Sequence, residues 1–229
     1  MALILHIETT ADFCSICISK ANTLLVTRET DEQYAHSSKI TILIQEALKE
    51  AHLNLKEFDA VALSQGPGSY TGLRVGTSTA KGICYALDKP LIAVNTLQAL
   101  ALATHQIVQD DSAFYIPMID ARRMEIYTAT FNAKNEFVSE IEAHILDENS
   151  FQNHLKNGQK LVFSGSGVAK CILLFDSPLI SFSKVLPKAP NMISLAYDSF
   201  QRNDFQDLAY FSPLYFKSPN ITSSKKNIL

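Results

Sequence analysis

Between Asp59 and Leu87 the chain passes from a short apolar run through a glycine-rich turn into a helical stretch. Residues 59–64 (DAVALS) read as a buried strand, Ala60–Ser64 at its centre. Residues 65–76 (QGPGSYTGLRVG) follow and open a helix predicted over Thr71–Leu87. A strand, a glycine turn and a helix start in that order make an anion site, because unpaired backbone N–H groups and the positive end of the helix dipole face the same point. The common phosphate loops nevertheless do not fit. Gly68 and Gly72 are separated by three residues where a Walker A loop needs four, and Leu73 stands at the lysine position. The dinucleotide pattern needs a glycine where Thr71 stands. The turn is built for a ligand but lacks the cation that accompanies phosphate chemistry.

At 229 residues the chain is long enough for one large domain or two small ones. Its net charge of −3 excludes a surface that is basic all over, as a general nucleic-acid binder would have. No apolar run reaches the ~20 residues of a membrane span. The opening residues 1–6 (MALILH) lack a basic region or cleavage site and lead into a strand, so a cytoplasmic protein is expected. Cys14 and Cys17 have metal-ligand spacing, but Cys84 and Cys171 are single and form no second pair. The pair lies in an alternating strand, where residues three apart point to opposite faces, and is expected to be buried structural thiol.

The first half reads as strands Ala2–Glu8, Phe13–Ser19 and Leu24–Glu29, a helix His36–Ala51 capped by Ser37 or Ser38, the strand and helix above, a strand Leu91–Val94 and a helix Thr96–Thr104. The second half repeats that order. Strands are predicted over Phe114–Ile119, Arg123–Phe131 and Phe137–Ile145, with a helix Asp147–Leu155 capped near Asp147. A strand Lys160–Ser164, a Gly165-Ser166-Gly167 turn with a helix to Leu174, and a last helix Asn191–Arg202 complete it. The order β-β-β-α-β-α thus occurs twice, with a break near Gln106–Ser112. It divides the chain into an N-terminal lobe 1–105, a C-terminal lobe 112–217 and a flexible polar tail 218–229. Actin-like, sugar-kinase and Hsp70-type ATPases are duplicates of this unit, so an α/β actin-like ATPase fold of two lobes is expected.

Residues 66–76 (GPGSYTGLRVG) resemble the signature of the TsaB (YeaZ) family of bacterial tRNA-modification proteins. Residues 4–10 (ILHIETT) with 14–18 (CSICI), residues 119–127 (IDARRMEIY) and residues 209–217 (AYFSPLYFK) resemble further segments of that family, in its order and spacing. The resemblance implies a glycoprotease-like, non-catalytic subunit of the machinery that makes N6-threonylcarbamoyladenosine (t6A). In that reaction threonylcarbamoyl passes from threonylcarbamoyl-AMP to N6 of the adenosine 3′ to the tRNA anticodon. It implies as partners a TsaD-like catalytic subunit, a TsaE-like ATPase and tRNA through the complex, or a second copy of the chain. No cofactor is expected to be held tightly, and ATP with Mg²⁺ would enter only in the assembled complex. The family's helix pair would dock the partner. Here that pair carries Ile40, Leu43 and Ala47 on the first helix and the small stripe Gly72, Gly76 and Ala80 on the second.

The resemblance also marks a degenerate nucleotide site. It comprises Glu8, Thr9 and Thr10 at the end of the first strand, Gly66, Gly68 and Ser69 in the glycine turn, and Gly165 and Gly167 from the second lobe. TsaB-like chains usually carry Asp where Glu8 stands, and the extra methylene disturbs a site for Mg²⁺, which tolerates little misplacement. TsaD holds a metal with a His-x-x-x-His pair, but His36 is followed four residues on by Ile40. The remaining histidines give no such pair, so no metal ligand is assigned. Asp120, Arg122 and Glu125 read as substrate contacts or as an ion-pair network between lobes. No catalytic residue is assigned, since no Ser-His-Asp triad can be read and Ser164 breaks a G-x-S-x-G elbow at Ser166. The alternatives are an active ATP-dependent small-molecule kinase of the same fold and a glycoprotease-like peptidase.

Overall fold

The computed structural model describes residues 1–30 and 36–217, the side chains of residues 36–38 excepted. The expected Ser37 or Ser38 cap, the His36 imidazole and the tail 218–229 lie outside what is described.

Two five-stranded sheets share one topology. In the first lobe β1 (Leu3–Glu8), β2 (Ser15–Lys20) and β3 (Thr23–Glu29) form an antiparallel meander. After helix α1 (His36–Ala51), β4 (Ala60–Ser64) joins β1 in parallel; after α2 (Tyr70–Leu87), β5 (Leu91–Val94) joins β4 in parallel. The sheet order is β3-β2-β1-β4-β5. Helix α3 (Thr96–Val108) then leads to the second lobe. There β6 (Phe114–Asp120), β7 (Glu125–Thr128) and β8 (Glu142–Ile145) repeat the meander, and β9 (Leu161–Ser164) and β10 (Ile180–Phe182) add parallel strands. The order β8-β7-β6-β9-β10 is the first order over again. The expected duplicate of two lobes is present.

The first sheet is buried on both faces, which explains its near-continuous apolar strands. Leu5, Ile7, Cys14, Ile16 and Ile18 face the core shared with α1 and α2. Ile4, Cys17, Ala60 and Ala62 face the opposite core. Cys14 and Cys17 therefore point to opposite sides, as strand alternation requires, and all four thiols are buried and free. Burial pushes the Cys14 and Cys171 thiols up to about 12, so they are neutral and unreactive at physiological pH.

The break expected near Gln106–Ser112 separates the sheets but not the helices. Leu97, Leu100 and Ala101 of α3 enter a core of the second sheet, while Ala99 faces the first. The last helix among the described residues, α5 (Ile193–Gln201), returns to the first sheet, where Met192, Ile193 and Ala196 cover Ile4, Ile92 and Val94. Each lobe is completed by a helix from the other half of the chain.

The second lobe is less regular than its sequence predicts. Strand β7 starts two residues late because Arg122 and Arg123 both adopt positive φ (68° and 48°). The predicted extensions to Phe131 and from Phe137 shrink to isolated bridges. Asp147 accepts from Asn149 N and Ser150 Oγ (2.9 Å each), closing a turn instead of capping a helix. Phe151 follows at φ 63°, so α4 covers only Gln152–Lys156. After Gly165 (φ 100°) the chain makes a short 3₁₀ turn, Ser166–Lys170, in place of a helix to Leu174.

Candidate functional site

The ends of β1 and β6 occupy equivalent places in the two lobes, and each carries an acid. Glu8 is buried, and its Oε1 accepts from the backbone N and Oγ1 of Thr10 at 2.6 and 2.5 Å. Burial holds its carboxyl above the usual range, although the Thr10 bonds pull the other way. Asp120 repeats the turn: its Oδ1 accepts from the backbone N of Arg122 at 2.6 Å. Asp120 differs in being exposed and paired with Lys170 (2.6 Å). Both acids are turned back onto their own loops.

The glycine turn is filled from inside. Ser69 N donates to Thr10 O (2.8 Å), and Thr9 Oγ1 donates to Gly72 O (2.8 Å). Gly72 N donates to the Ser69 hydroxyl, which caps α2, and Gly66 N donates to Thr96 Oγ1 (3.2 Å each). A Cβ added at Gly68 would overlap Thr10; at Gly72 it would fall on the carbonyl of Thr9, and at Gly76 on the Thr9 hydroxyl. These glycines let α2 lie directly on the Thr9–Thr10 backbone, and the N–H groups of Gly66, Ser69 and Gly72 are bonded within the fold. On the second lobe Gly165 and Gly167 serve the same purpose: a Cβ at either would strike Met118.

A cavity of about 530 Å³ lies between the lobes at these two turns. Of the eight residues assigned to the degenerate nucleotide site, Thr10, Gly68 and Ser69 line it. Glu8, Thr9, Gly66, Gly165 and Gly167 lie outside its lining, and Glu8 and Thr9 are packed in the core. The walls are completed by Tyr70, Arg122, Arg123, Tyr127, Ser166 and the segment Leu214–Lys217. Ser166 Oγ accepts from Asp120 N at 3.0 Å, tying the two second-lobe turns together. The Asp120 and Glu125 ion pairs, to Lys170 and Lys217, join second-lobe strands to neighbouring segments.

The six residues assigned to the partner surface face inward. Ile40, Leu43, Ala47 and Ala80 belong to the first-lobe core, and Gly72 and Gly76 are buried on Thr9. Thr9 is far away in sequence, and its position against α2 decides which side of the helix is buried. The outer face of the pair carries Ile42 and Glu46 on α1 and Arg74, Ser78, Gly82, Tyr85 and Ala86 on α2. Ser78, Gly82 and Ala86 form a second small stripe with the same four-residue spacing, and a Cβ at Gly82 would meet open space. Tyr85 beside it is 84% exposed.

One arrangement was not legible in the sequence. His144 Nδ1 lies 3.0 Å from Glu142 Oε1, and its Nε2 lies 2.9 Å from Ser150 Oγ, an acid-base-hydroxyl relay. The Ser150 oxygen also accepts from Asp147 N (3.0 Å) and lies 2.9 Å from Asp147 Oδ1. It is buried, and the interlobe cavity does not reach it. The relay fixes the turn before α4.

The family model described as TsaD, tRNA N6-adenosine threonylcarbamoyltransferase, matches residues 30–225. The chain is 26% identical over 227 residues to tRNA threonylcarbamoyladenosine biosynthesis protein TsaB of Haemophilus influenzae, covering 94% of this chain and 93% of that one. Its fold superposes on YeaZ from Pseudomonas aeruginosa with TM-score 0.81 and 21% identity, over 94% of this chain and 100% of that one. Component A of the (R)-2-hydroxyglutaryl-CoA dehydratase of Acidaminococcus fermentans shares the architecture at TM-score 0.54 and 9% identity, over 89% and 100% of the two chains. The two-lobed α/β fold is that of the actin-like ATPases. Among the described residues no helix is long and apolar enough to cross a membrane.

Proposed function

This chain belongs to the family of tRNA N6-adenosine threonylcarbamoyltransferases and their TsaB (YeaZ) relatives, and on that premise we propose that it is the non-catalytic partner subunit of a t6A-forming complex. The observation that carries the reading is the glycine turn, whose Gly68, Gly72 and Gly76 pack against Thr9 and Thr10, whose Gly66, Ser69 and Gly72 N–H groups are bonded within the fold, and which has Leu73 where a phosphate loop carries lysine. A loop packed in this way serves to place α2, and α2 with α1 presents an outer face for a TsaD-like catalytic subunit. That subunit would transfer threonylcarbamoyl to tRNA with a TsaE-like ATPase supporting turnover. In this reading the isolated chain holds no nucleotide tightly, and ATP with Mg²⁺ acts in the assembled complex. tRNA is met through the complex, and a second copy of the chain competes for the α1–α2 face.

Co-expression with a TsaD-like protein tests the reading. A stable complex is expected. Gly82→Leu should weaken it at least ~5-fold, since overpacking a close contact costs about 1–3 kcal/mol. The substitution fills open space and should leave the fold intact. Failure to form any complex, together with tight Mg²⁺-dependent ATP binding by the isolated chain, would favour the kinase alternative instead.

A further inference from the structure

After α5 the chain crosses from the first lobe back to the second, and the crossing is fastened at both ends. On the first lobe Gln206 N donates to Leu91 O (2.8 Å), and Leu208 and Phe211 pack on the core. Lys81 Nζ donates to the carbonyls of Ala209 and Phe211 (3.3 Å each). Leu214 N donates to Gln65 O at 2.8 Å, and the Tyr215 ring lies 5.0 Å from that of Tyr70. The next two residues hold the second lobe. The Phe216 ring lies 6.0 Å from that of Tyr127, and Lys217 pairs with Glu125 while its Nζ stands 5.9 Å from the Tyr127 ring centre.

We infer that Gln206–Lys217 is a strap that latches the two lobes together and gates the cavity between them. Leu214–Lys217 form one wall of that cavity, so the strap cannot leave the second lobe without opening it. Its two fastenings are unequal. The first-lobe end rests on backbone hydrogen bonds and core side chains. The second-lobe end rests on the exposed Phe216 ring against Tyr127, on the Lys217 Nζ beside that ring, and on one ion pair reachable by solvent. Exposed ion pairs are weakened by salt, so the latch opens at Phe216–Lys217 and opens further as ionic strength rises. Closure of two lobes about a ligand cleft is a common motion, and here a covalently attached segment controls it. The inference is independent of the partner reading.

Spin labels at Gln45→Cys on α1 and Asn153→Cys on α4 report the interlobe distance in the full chain by pulsed electron resonance. Both positions are exposed, whereas the four native thiols are buried and stay unlabelled. A single narrow distribution is expected for the otherwise unaltered chain at low salt, broadening as salt is raised. Phe216→Ala and, separately, Lys217→Glu should broaden or lengthen it at low salt. Glu125→Lys combined with Lys217→Glu should restore the narrow form. Distributions unchanged in both single variants, or no recovery in the paired reversal, would overturn the latch. Loss of folding in both single variants would overturn it as well, because a latch is dispensable to either core.

Discussion

His6 and Glu8 sit two residues apart on one strand, both fully buried, and burial acts on them in opposite senses. His6 contacts Ser19 Oγ (2.8 Å) through Nε2, while Nδ1 has no partner among the described residues, and burial lowers its pKa to about 3. In the unfolded chain the imidazole takes a proton near pH 6.5, so between about 6.5 and 3 the unfolded state binds more protons. Stability therefore falls as pH drops through that window, by up to about 1.4 kcal/mol per pH unit from this residue. Glu8 has a raised folded pKa, so its native state binds more protons above 4.5 and its contribution is lost as pH rises. The two slopes oppose each other near pH 5, and only differences from single variants separate them. His6→Gln should flatten the acid limb of urea-unfolding free energy, and an unchanged limb would exclude His6 as its source. Glu8→Gln keeps acceptors for Thr10 while removing a buried charge. It should leave stability at pH 4 nearly unchanged and raise it at pH 8; a lower melting temperature at pH 8 would mean that the ionised carboxylate has a role of its own.

Within α2 the same residue type has opposite effects on two sides of one helix. At Gly72 a methyl group would meet the rigid Thr9 carbonyl, so Gly72→Ala should destabilise by at least about 1–3 kcal/mol. At Gly82 it would meet solvent, so Gly82→Ala should stabilise by about 0.5–1 kcal/mol through helix propensity. Melting curves of the two variants would have to shift in opposite directions. Four-residue spacing of small residues was legible in the sequence, but it describes Gly72-Gly76-Ala80 and Ser78-Gly82-Ala86 equally well. What chooses between them is Thr9, and no helical periodicity contains that contact. The same division runs through the other elements. Helix α1 and strands β4 and β5 were legible because apolar spacing and turn residues agree over their whole length. Strand β7 and helix α4 were not, because left-handed backbone at Arg122, Arg123 and Phe151 sets their starts, and nothing in an arginine or a phenylalanine announces positive φ. At the site, Thr10, Gly68 and Ser69 were legible, while Tyr70, Arg123 and the strap reach the cavity only through the lobe arrangement.

At the scale of the molecule, duplication of the strand order conceals an exchange of helices. A cut near residue 110 follows the sequence repeat yet strips the first sheet of its cover on one side. Ile4, Cys17, Ile92 and Val94 would lose Met192, Ile193 and Ala196. Burying a side chain such as Met or Ile contributes about 1.5–3 kcal/mol each, a large part of the 5–15 kcal/mol by which a domain is usually stable. The second sheet would likewise lose Leu97, Leu100 and Ala101 of α3. The fragment 1–105 should therefore be insoluble, or soluble with near-native secondary structure but without fixed side-chain packing. Extending it to residue 110 should not rescue it, because α3 finds its partner surface on β6 and β9. Co-expression of 1–110 with 111–229 should restore a folded, nicked heterodimer, since every native contact can reform in trans. Dispersed amide spectra from fragment 1–105 alone would show that the first lobe is autonomous and that α5 is only an external brace. Recovery of dispersion only on mixing would establish that the lobes fold as one cooperative unit, whose sequence repeat does not mark separable domains.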